Sequence, residues 1–148
     1  MRIKVGKTIV SLVIGFVLVG VAGAESFTDH GNGTVTDGAT GLVWQQQDDD
    51  RTRSWVDALA YCEGLDFAGR SDWRLPNIRE LESIVNATTY NPAIDETDFP
   101  NTNSSGYWSS TSGASYSDDA WYVYFHDGHV YYGYRSNGYY VRCVRGGE

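Results

Sequence analysis

Two cysteines, Cys62 and Cys143, constrain this chain more than any other feature, because they are its only thiols. An even cysteine count in a small exported domain favours a disulfide. The alternative is a catalytic thiol or a metal-binding pair, and neither cysteine has sequence neighbours that support it. We therefore predict a disulfide between them. Closing a loop of about 80 residues stabilises a fold by roughly 4 kcal/mol on the chain-entropy model.

The N-terminus indicates the oxidising compartment that such a bond needs. Residues 2–7 contain three basic side chains, the 14 residues from Thr8 to Val21 are apolar or small, and Ala22-Gly23-Ala24 follows. This order is typical of a signal peptide. A membrane anchor is the alternative, but the stretch is shorter than the ~20 residues that cross a bilayer. We predict a signal peptide over residues 1–24, cleavage near Ala24, and a secreted, periplasmic or cell-surface protein.

The remaining residues, 25–148, are enough for one domain. The signal peptide carries three basic and no acidic residues, so its removal changes the formal net charge from −8 to −11. A surface this acidic repels nucleic acid, anionic lipid and sulfated polysaccharide. We expect neutral or cationic partners, no nucleic acid, and no membrane insertion after cleavage.

Turn and cap signals predict a β meander followed by two helices. Asn32-Gly33 and Asp37-Gly38 favour tight turns between short strands. Ser54 is a predicted N-cap with Asp57 as its capping-box partner, and Gly64 ends that helix. Pro76-Asn77 predicts the start of a second helix. Its apolar stripe contains Leu75, Ile78, Leu81 and Ile84 or Val85.

Alternating residues predict a β-hairpin in the C-terminal third. Trp121, Val123 and Phe125 share one predicted face, directed inward, and Tyr122, Tyr124 and His126 share the other. Asp127-Gly128 predicts the turn, and the return strand starts at His129. A last strand over residues 140–145 brings Cys143 back to the first helix.

The same third of the chain carries an unusual residue alphabet. Nine of the eleven tyrosines lie from Tyr107 onward, and 21 of the 28 residues from Gly113 to Tyr140 are Tyr, Ser, Asp, Asn, Gly or His. Antibody-like binding surfaces use these residues, because Tyr gives a large contact at low entropic cost. A Tyr- and Gly-rich surface without a role is the alternative. Exposed aromatic side chains in such number favour a binding surface.

Several motifs resemble the Lcl C-terminal domain family across the whole mature chain. They are Phe27-Thr28-Asp29, 33–37, 40–44, 55–62, the run from Asp72 to Leu81, 107–111 and 141–145. The resemblance implies an α+β, C-type-lectin-like fold, with two helices on short antiparallel sheets and a disulfide from the first helix to the last strand. Family members include adhesive tips of collagen-like surface proteins that bind sulfated glycans. This chain has no Gly-x-y repeat, and its charge argues against that ligand.

The C-terminal third also resembles the variable proteins of diversity-generating retroelements, in which Asn codons of a template become Tyr, Ser, Asp, His or Gly at ligand-facing positions. We take the corresponding polar and aromatic positions as candidate ligand-binding residues. They are Tyr116, Asp118, Asp119, Tyr122, Tyr124, His126, Asp127, His129, Tyr131, Tyr132, Tyr134, Ser136, Asn137, Tyr139 and Tyr140.

Catalytic and metal sites have weaker support. His126-x-x-His129 has a spacing that can hold a metal, but it spans a hairpin turn and has no third ligand. Asp29, Asn32 and Asp37 lack the spacing of a calcium loop, which favours ordinary turns. Formylglycine-generating enzymes share the lectin-like fold but need reactive cysteines.

We therefore predict an exported, non-catalytic, adhesin-like domain without a cofactor, which recognises a protein or a glycan. A structural envelope domain that buries its tyrosines in an oligomer is the competing hypothesis, and a lectin-like enzyme or a metal-binding protein is a weaker one.

Overall fold

A computed structural model describes residues 27–115 and 117–147, so the predicted signal peptide lies outside the described residues. The elements in chain order are β1 (Phe27–Asp29), β2 (Thr34–Asp37), β3 (Val43–Gln45), α1 (Trp55–Glu63), α2 (Ile78–Ser83), β4 (Gly106–Ser112), β5 (Asp119–Tyr124), β6 (His129–Tyr134) and β7 (Val144–Arg145). The strands form two antiparallel sheets, ordered β1-β2-β3-β7 and β4-β5-β6. The predicted α+β class is confirmed, whereas the C-type-lectin-like assignment stays a prediction. No helix in the described ranges is long and apolar enough to cross a membrane.

Side-chain oxygens close the turns of the β meander. The Oδ1 atoms of Asp29, Asn32 and Asp37 accept hydrogen bonds from backbone N–H groups two residues further on, at 2.7, 3.1 and 2.8 Å. These are the local turn bonds that Asn and Asp typically make. The three side chains therefore form ordinary turns, as their spacing favoured.

Both helices begin after their predicted N-caps, but the predicted capping box between Ser54 and Asp57 is not formed, because the Asp57 carboxylate accepts from the Ser54 hydroxyl at 2.6 Å instead. The Ser54 hydroxyl accepts from the backbone N–H of Asp57, and Gly64 caps the other end of α1. Asn77 and Glu80 form a capping box at the start of α2. The second helix is shorter than its predicted stripe: its last residue is Ser83, and Ile84 is its C-cap. Val85 lies beyond the helix.

The three-stranded sheet lies between two apolar clusters. Leu81 and Ile84 from the α2 region pack with Tyr107, Val123 and Phe125 on one side. The second cluster, on the α1 side, contains Ala58, Cys62, Trp108, Ala120 and Cys143. The Cys62–Cys143 disulfide is confirmed, with an S–S distance of 2.03 Å and both residues fully buried. It fastens α1 to the segment that leads into β7.

The predicted last strand is only partly formed. Residues 144–145 pair with β3, whereas Tyr139 and Tyr140 make isolated bridges to Arg53 and Tyr107. Between them the ladder is interrupted, because the backbone N–H of Cys143 donates to the side-chain oxygen of Gln45 at 2.8 Å. The prediction of one continuous strand over residues 140–145 is therefore wrong.

Arg142 occupies the interior next to this interruption. Its side chain is fully buried and donates to the backbone oxygens of Gln45 and Gln46 and to the hydroxyl of Thr102, at 3.0, 2.5 and 2.8 Å. The Asp48 carboxylate lies 3.7 Å from the same guanidinium. One side chain thus joins the end of β3, the loop before β4 and the C-terminal segment.

Candidate ligand-binding surface

The register of β5 and β6 divides the predicted binding residues between two faces of the sheet. Tyr122 pairs with Tyr131, and Trp121 pairs with Tyr132. Directly opposed residues share a face and neighbouring residues alternate, so Tyr131 and Tyr132 point to opposite sides. The structure therefore has two tyrosine-bearing surfaces on one sheet rather than the single surface expected from the sequence.

The first surface, which we call the aromatic face, is a continuous series of ring contacts. Tyr139 packs on Tyr122 with centroids 4.3 Å apart, and Tyr122 lies 5.8 Å from Tyr131. Tyr131 lies 6.2 Å from Tyr124, whose ring is 5.6 Å from that of His126. The series ends at Tyr90, 4.6 Å from His126. Tyr90 was missed in the sequence because it comes from a loop without periodicity.

The inner end of the aromatic face has a structural role. Tyr122 and Tyr139 are half-buried and pack edge-on against Trp108. A Cβ at Gly106 would lie 2.7 Å from the Tyr139 ring, so this glycine makes room for the ring. Burial and a hydrogen bond with Tyr139 raise the pKa of Tyr122 above its ordinary value. These two tyrosines therefore pack beneath the aromatic face and offer little of their own surface to a ligand.

The outer end of the aromatic face carries polar groups. Asp127 accepts from the backbone N–H of His129 at 3.0 Å and from the Tyr131 hydroxyl at 3.1 Å. Partial desolvation raises the pKa of Asp127, but these hydrogen bonds outweigh it, and the net pKa lies below its ordinary value. The bond to Asp127 raises the pKa of Tyr131. The carboxylate thus stays ionised and holds the exposed Tyr131 hydroxyl in place.

Both ring nitrogens of His126 have partners within the protein. Nε2 lies 2.5 Å from the Tyr90 hydroxyl, and Nδ1 lies 3.0 Å from Asn91 Oδ1 and 3.2 Å from Ser104 Oγ. His129 is exposed and lies 3.4 Å from Asp127. In the described part of the chain, no group of three or more His, Cys, Asp or Glu side chains is arranged to hold a metal ion. The histidine pair thus takes part in local hydrogen bonding.

The second surface, which we call the acidic cleft, lies on the opposite face. Its narrow part has a volume of about 220 Å³ and a mostly apolar lining that includes Trp121, Tyr132 and Asp119. A wider part of about 430 Å³ continues past Asp118 and Tyr134. Trp121 is only half-buried and its ring lies 5.5 Å from that of Tyr132, so it lines the cleft instead of entering the core.

Four predicted binding residues belong to neither surface. Three lie elsewhere on the domain, and the fourth is outside the described residues. Ser136 and Asn137 are exposed in the turn after β6. Tyr140 is half-buried and stacks on Tyr107 with centroids 5.5 Å apart, which gives it a core contact. Tyr116 lies outside the described residues.

Comparison with known proteins gives a family for the chain. The sequence profile of the Lcl C-terminal domain matches residues 33–145, a range that includes both helices, the disulfide and both surfaces. A search of curated proteins finds no match. Because the profile covers more than half of the sequence, the chain belongs to the Lcl C-terminal domain family.

Proposed function

We propose that this chain is an exported, non-catalytic binding domain that recognises a protein or a glycan through the two tyrosine-bearing surfaces of the β5–β6 hairpin. The exposure of the β6 tyrosines is the observation that carries the proposal. Tyr131, Tyr132 and Tyr134 remain 41, 59 and 66 % exposed, on one edge strand. Large aromatic side chains left open in this number are typical of a surface that meets a partner.

The chemistry of the surfaces supports binding over catalysis. Tyrosine rings give apolar contact area and a hydroxyl, with few rotatable bonds to immobilise. Both thiols are held in the disulfide, and both nitrogens of His126 already have partners. With a mature net charge of −11, the domain favours neutral or cationic ligands over sulfated ones.

A binding screen with paired variants tests the proposal. The exported protein is applied to an array of neutral, cationic and sulfated glycans and to a displayed peptide library. We expect ligands whose binding is lost on combined Tyr131→Ser and Tyr132→Ser substitution but kept in Val56→Ser, which changes an apolar residue on α1 that is at least as exposed. Ligands that bind the tyrosine variant as well as the wild type would refute the proposal.

Self-assembly is the competing function, and the open edge of β6 favours it, since no strand in the described residues pairs with that edge. Light scattering on the wild type and the tyrosine variant measures their molar masses and so distinguishes self-assembly from ligand binding. A stable oligomer that dissociates in the tyrosine variant would identify an assembly interface.

Diversification by a retroelement stays a prediction, and burial now limits where it can act. Four candidate positions have side chains that are buried or half-buried, so substitution there would disturb packing: Asp119, Tyr122, Tyr139 and Tyr140. Tyr132 and most of the other candidate positions are exposed to solvent. Sequencing this gene from many cells tests it. Substitutions concentrated at the open positions would support the prediction, and invariance would reject it.

A further inference from the structure

Asp119 is a nearly buried residue whose carboxylate oxygens, unpartnered among the described residues, still reach the surface of the acidic cleft. The residue is only 7 % exposed, and no described hydrogen-bond donor or cation lies within bonding distance of its side chain. It nevertheless lines both the narrow and the wide part of the acidic cleft. Asp residues with so little exposure are normally paired with a cation or a hydrogen-bond donor, so an unpartnered one is an unusual feature of this cleft.

Arg135, which contacts Asp119, makes no ion pair with its carboxylate. Arg135 donates from Nε to the backbone oxygen of Asp119 at 3.2 Å, and its guanidinium lies 4.2 Å from the ring centroid of Trp55, a residue of α1. No Lys or Arg lines either part of the cleft. The chain contains no lysine after Lys7, so the mature protein has no ammonium side chain of its own to supply.

Aromatic rings form the other walls of the narrow part. The Trp121 and Tyr132 rings are inclined at 70° to each other. The two rings meet edge to face with centroids 5.5 Å apart, so together they give the narrow part an apolar corner against which a methylene chain can pack. The volume of about 220 Å³ is below the usual range for drug-sized ligands and suits a group the size of one side chain.

We propose that the acidic cleft binds an alkylammonium group, with its charge at Asp119 and its methylene chain against Trp121 and Tyr132. A lysine side chain of a partner protein and a free alkylamine share this chemistry. The inference rests on the proposed function, because it names the ligand chemistry of one of the two binding surfaces.

The test is a titration of the full exported chain with n-butylammonium chloride, followed by NMR of the Trp121 indole N–H. We expect a saturable shift of this signal, and none with n-butanol, which has the same apolar chain without the charge. Asp119→Asn should weaken binding at least tenfold. Asp66→Asn, an equal charge change at an exposed residue that lines neither part of the cleft, should leave it unchanged.

A second variant keeps the test decisive if Asp119→Asn fails to fold, which the other indole signals will show. Tyr132→Ser changes a largely exposed residue and should weaken butylammonium binding two- to fivefold, because it removes part of the apolar surface on which the methylene chain packs. Equal shifts by n-butanol, unchanged binding in a folded Asp119→Asn protein, or shifts that map away from Trp121 would each overturn the inference.

Two further comparisons complete the design. A blocked Gly-Lys-Gly peptide that binds more tightly than n-butylammonium identifies a lysine side chain as the source, and equal affinity identifies the amine alone as sufficient. Failure of butylammonium binding, while ligands that a single Tyr131→Ser substitution abolishes still bind the wild type, would remove only this inference. The reverse pattern would leave the cleft and remove the aromatic face from the proposed function.

Discussion

Replacing Arg142 by methionine tests whether the buried hydrogen bonds of this side chain stabilise the fold. The substitution keeps an apolar stem of similar length but removes the donors to the Gln45 and Gln46 carbonyls and to Thr102. It also leaves the nearly buried Asp48 carboxylate without its guanidinium neighbour at 3.7 Å. Each buried acceptor that loses its donor costs about 1–3 kcal/mol, and breaking a buried ion pair costs about 3–5 kcal/mol. We expect a loss of at least about 3 kcal/mol in the free energy of unfolding.

Urea unfolding at neutral pH, followed by tryptophan fluorescence with the disulfide intact, measures this loss. The matched control is Arg79→Met, because the Arg79 side chain is 88 % exposed and its ion pair with Glu82 spans 3.4 Å. An exposed pair of this kind contributes about 0.5 kcal/mol or less. If the two variants differ by less than about 1 kcal/mol, the cost of burying Arg142 cancels its hydrogen bonds, and its role as a stabilising link is refuted.

Three other outcomes follow from the structure. Reduction of the Cys62–Cys143 bond should lower stability by roughly 4 kcal/mol in the same unfolding assay, and a loss below about 1 kcal/mol would refute the loop-closure argument. Tyr139→Ala should cost about 2–3 kcal/mol, against about 0.5 kcal/mol or less for the exposed Tyr134→Ala; equal costs would contradict the supporting role of Tyr139. Burial raises the pKa of Glu80, but Arg74 and the N–H of Asn77 outweigh it, so the net pKa lies below its ordinary 4.5. The ionised form therefore stabilises the fold above that pH, and the contribution is lost as the pH falls through the lowered pKa. Stability curves from pH 6 to 3 should be flatter for Glu80→Gln, and parallel curves would contradict this.

Local signals explain why much of the fold was predictable. Ser54 and Asn77 cap their helices by contacts within three residues. Asp37-Gly38 lies in the connection between β2 and β3, and Asp127-Gly128 lies in the connection between β5 and β6, so each joins two strands that are neighbours in the sequence. Alternation also placed Val123 in the core, because strand periodicity is a local property. The disulfide was predicted from the cysteine count and the predicted export.

The arrangement of the binding residues could not be predicted in this way, because it depends on contacts between segments that are distant in the sequence. Whether Tyr139 supports Tyr122 depends on a segment that returns to the sheet after β6, and no periodicity within either segment encodes that contact. Trp121 lies on the same strand face as Val123, but the apolar cluster beside α2 includes Val123 and not Trp121. The division into two surfaces likewise needed the pairing register, which places Tyr131 and Tyr132 on opposite sides.

The open edge of β6 has a consequence for the colloidal behaviour of the protein. Natural edge strands usually carry proline or charged side chains such as lysine, which prevent pairing between copies. The β6 sequence is His-Val-Tyr-Tyr-Gly-Tyr, which contains no Pro, Lys, Arg, Asp or Glu. Mutual repulsion between whole molecules must then keep these edges apart, and it comes from the excess of carboxylates elsewhere on the surface. That repulsion vanishes near the isoelectric point, which is about 4.7 for the whole sequence and lower once the three basic residues of the predicted signal peptide are removed. Mild acid should therefore precipitate the protein while it is still folded.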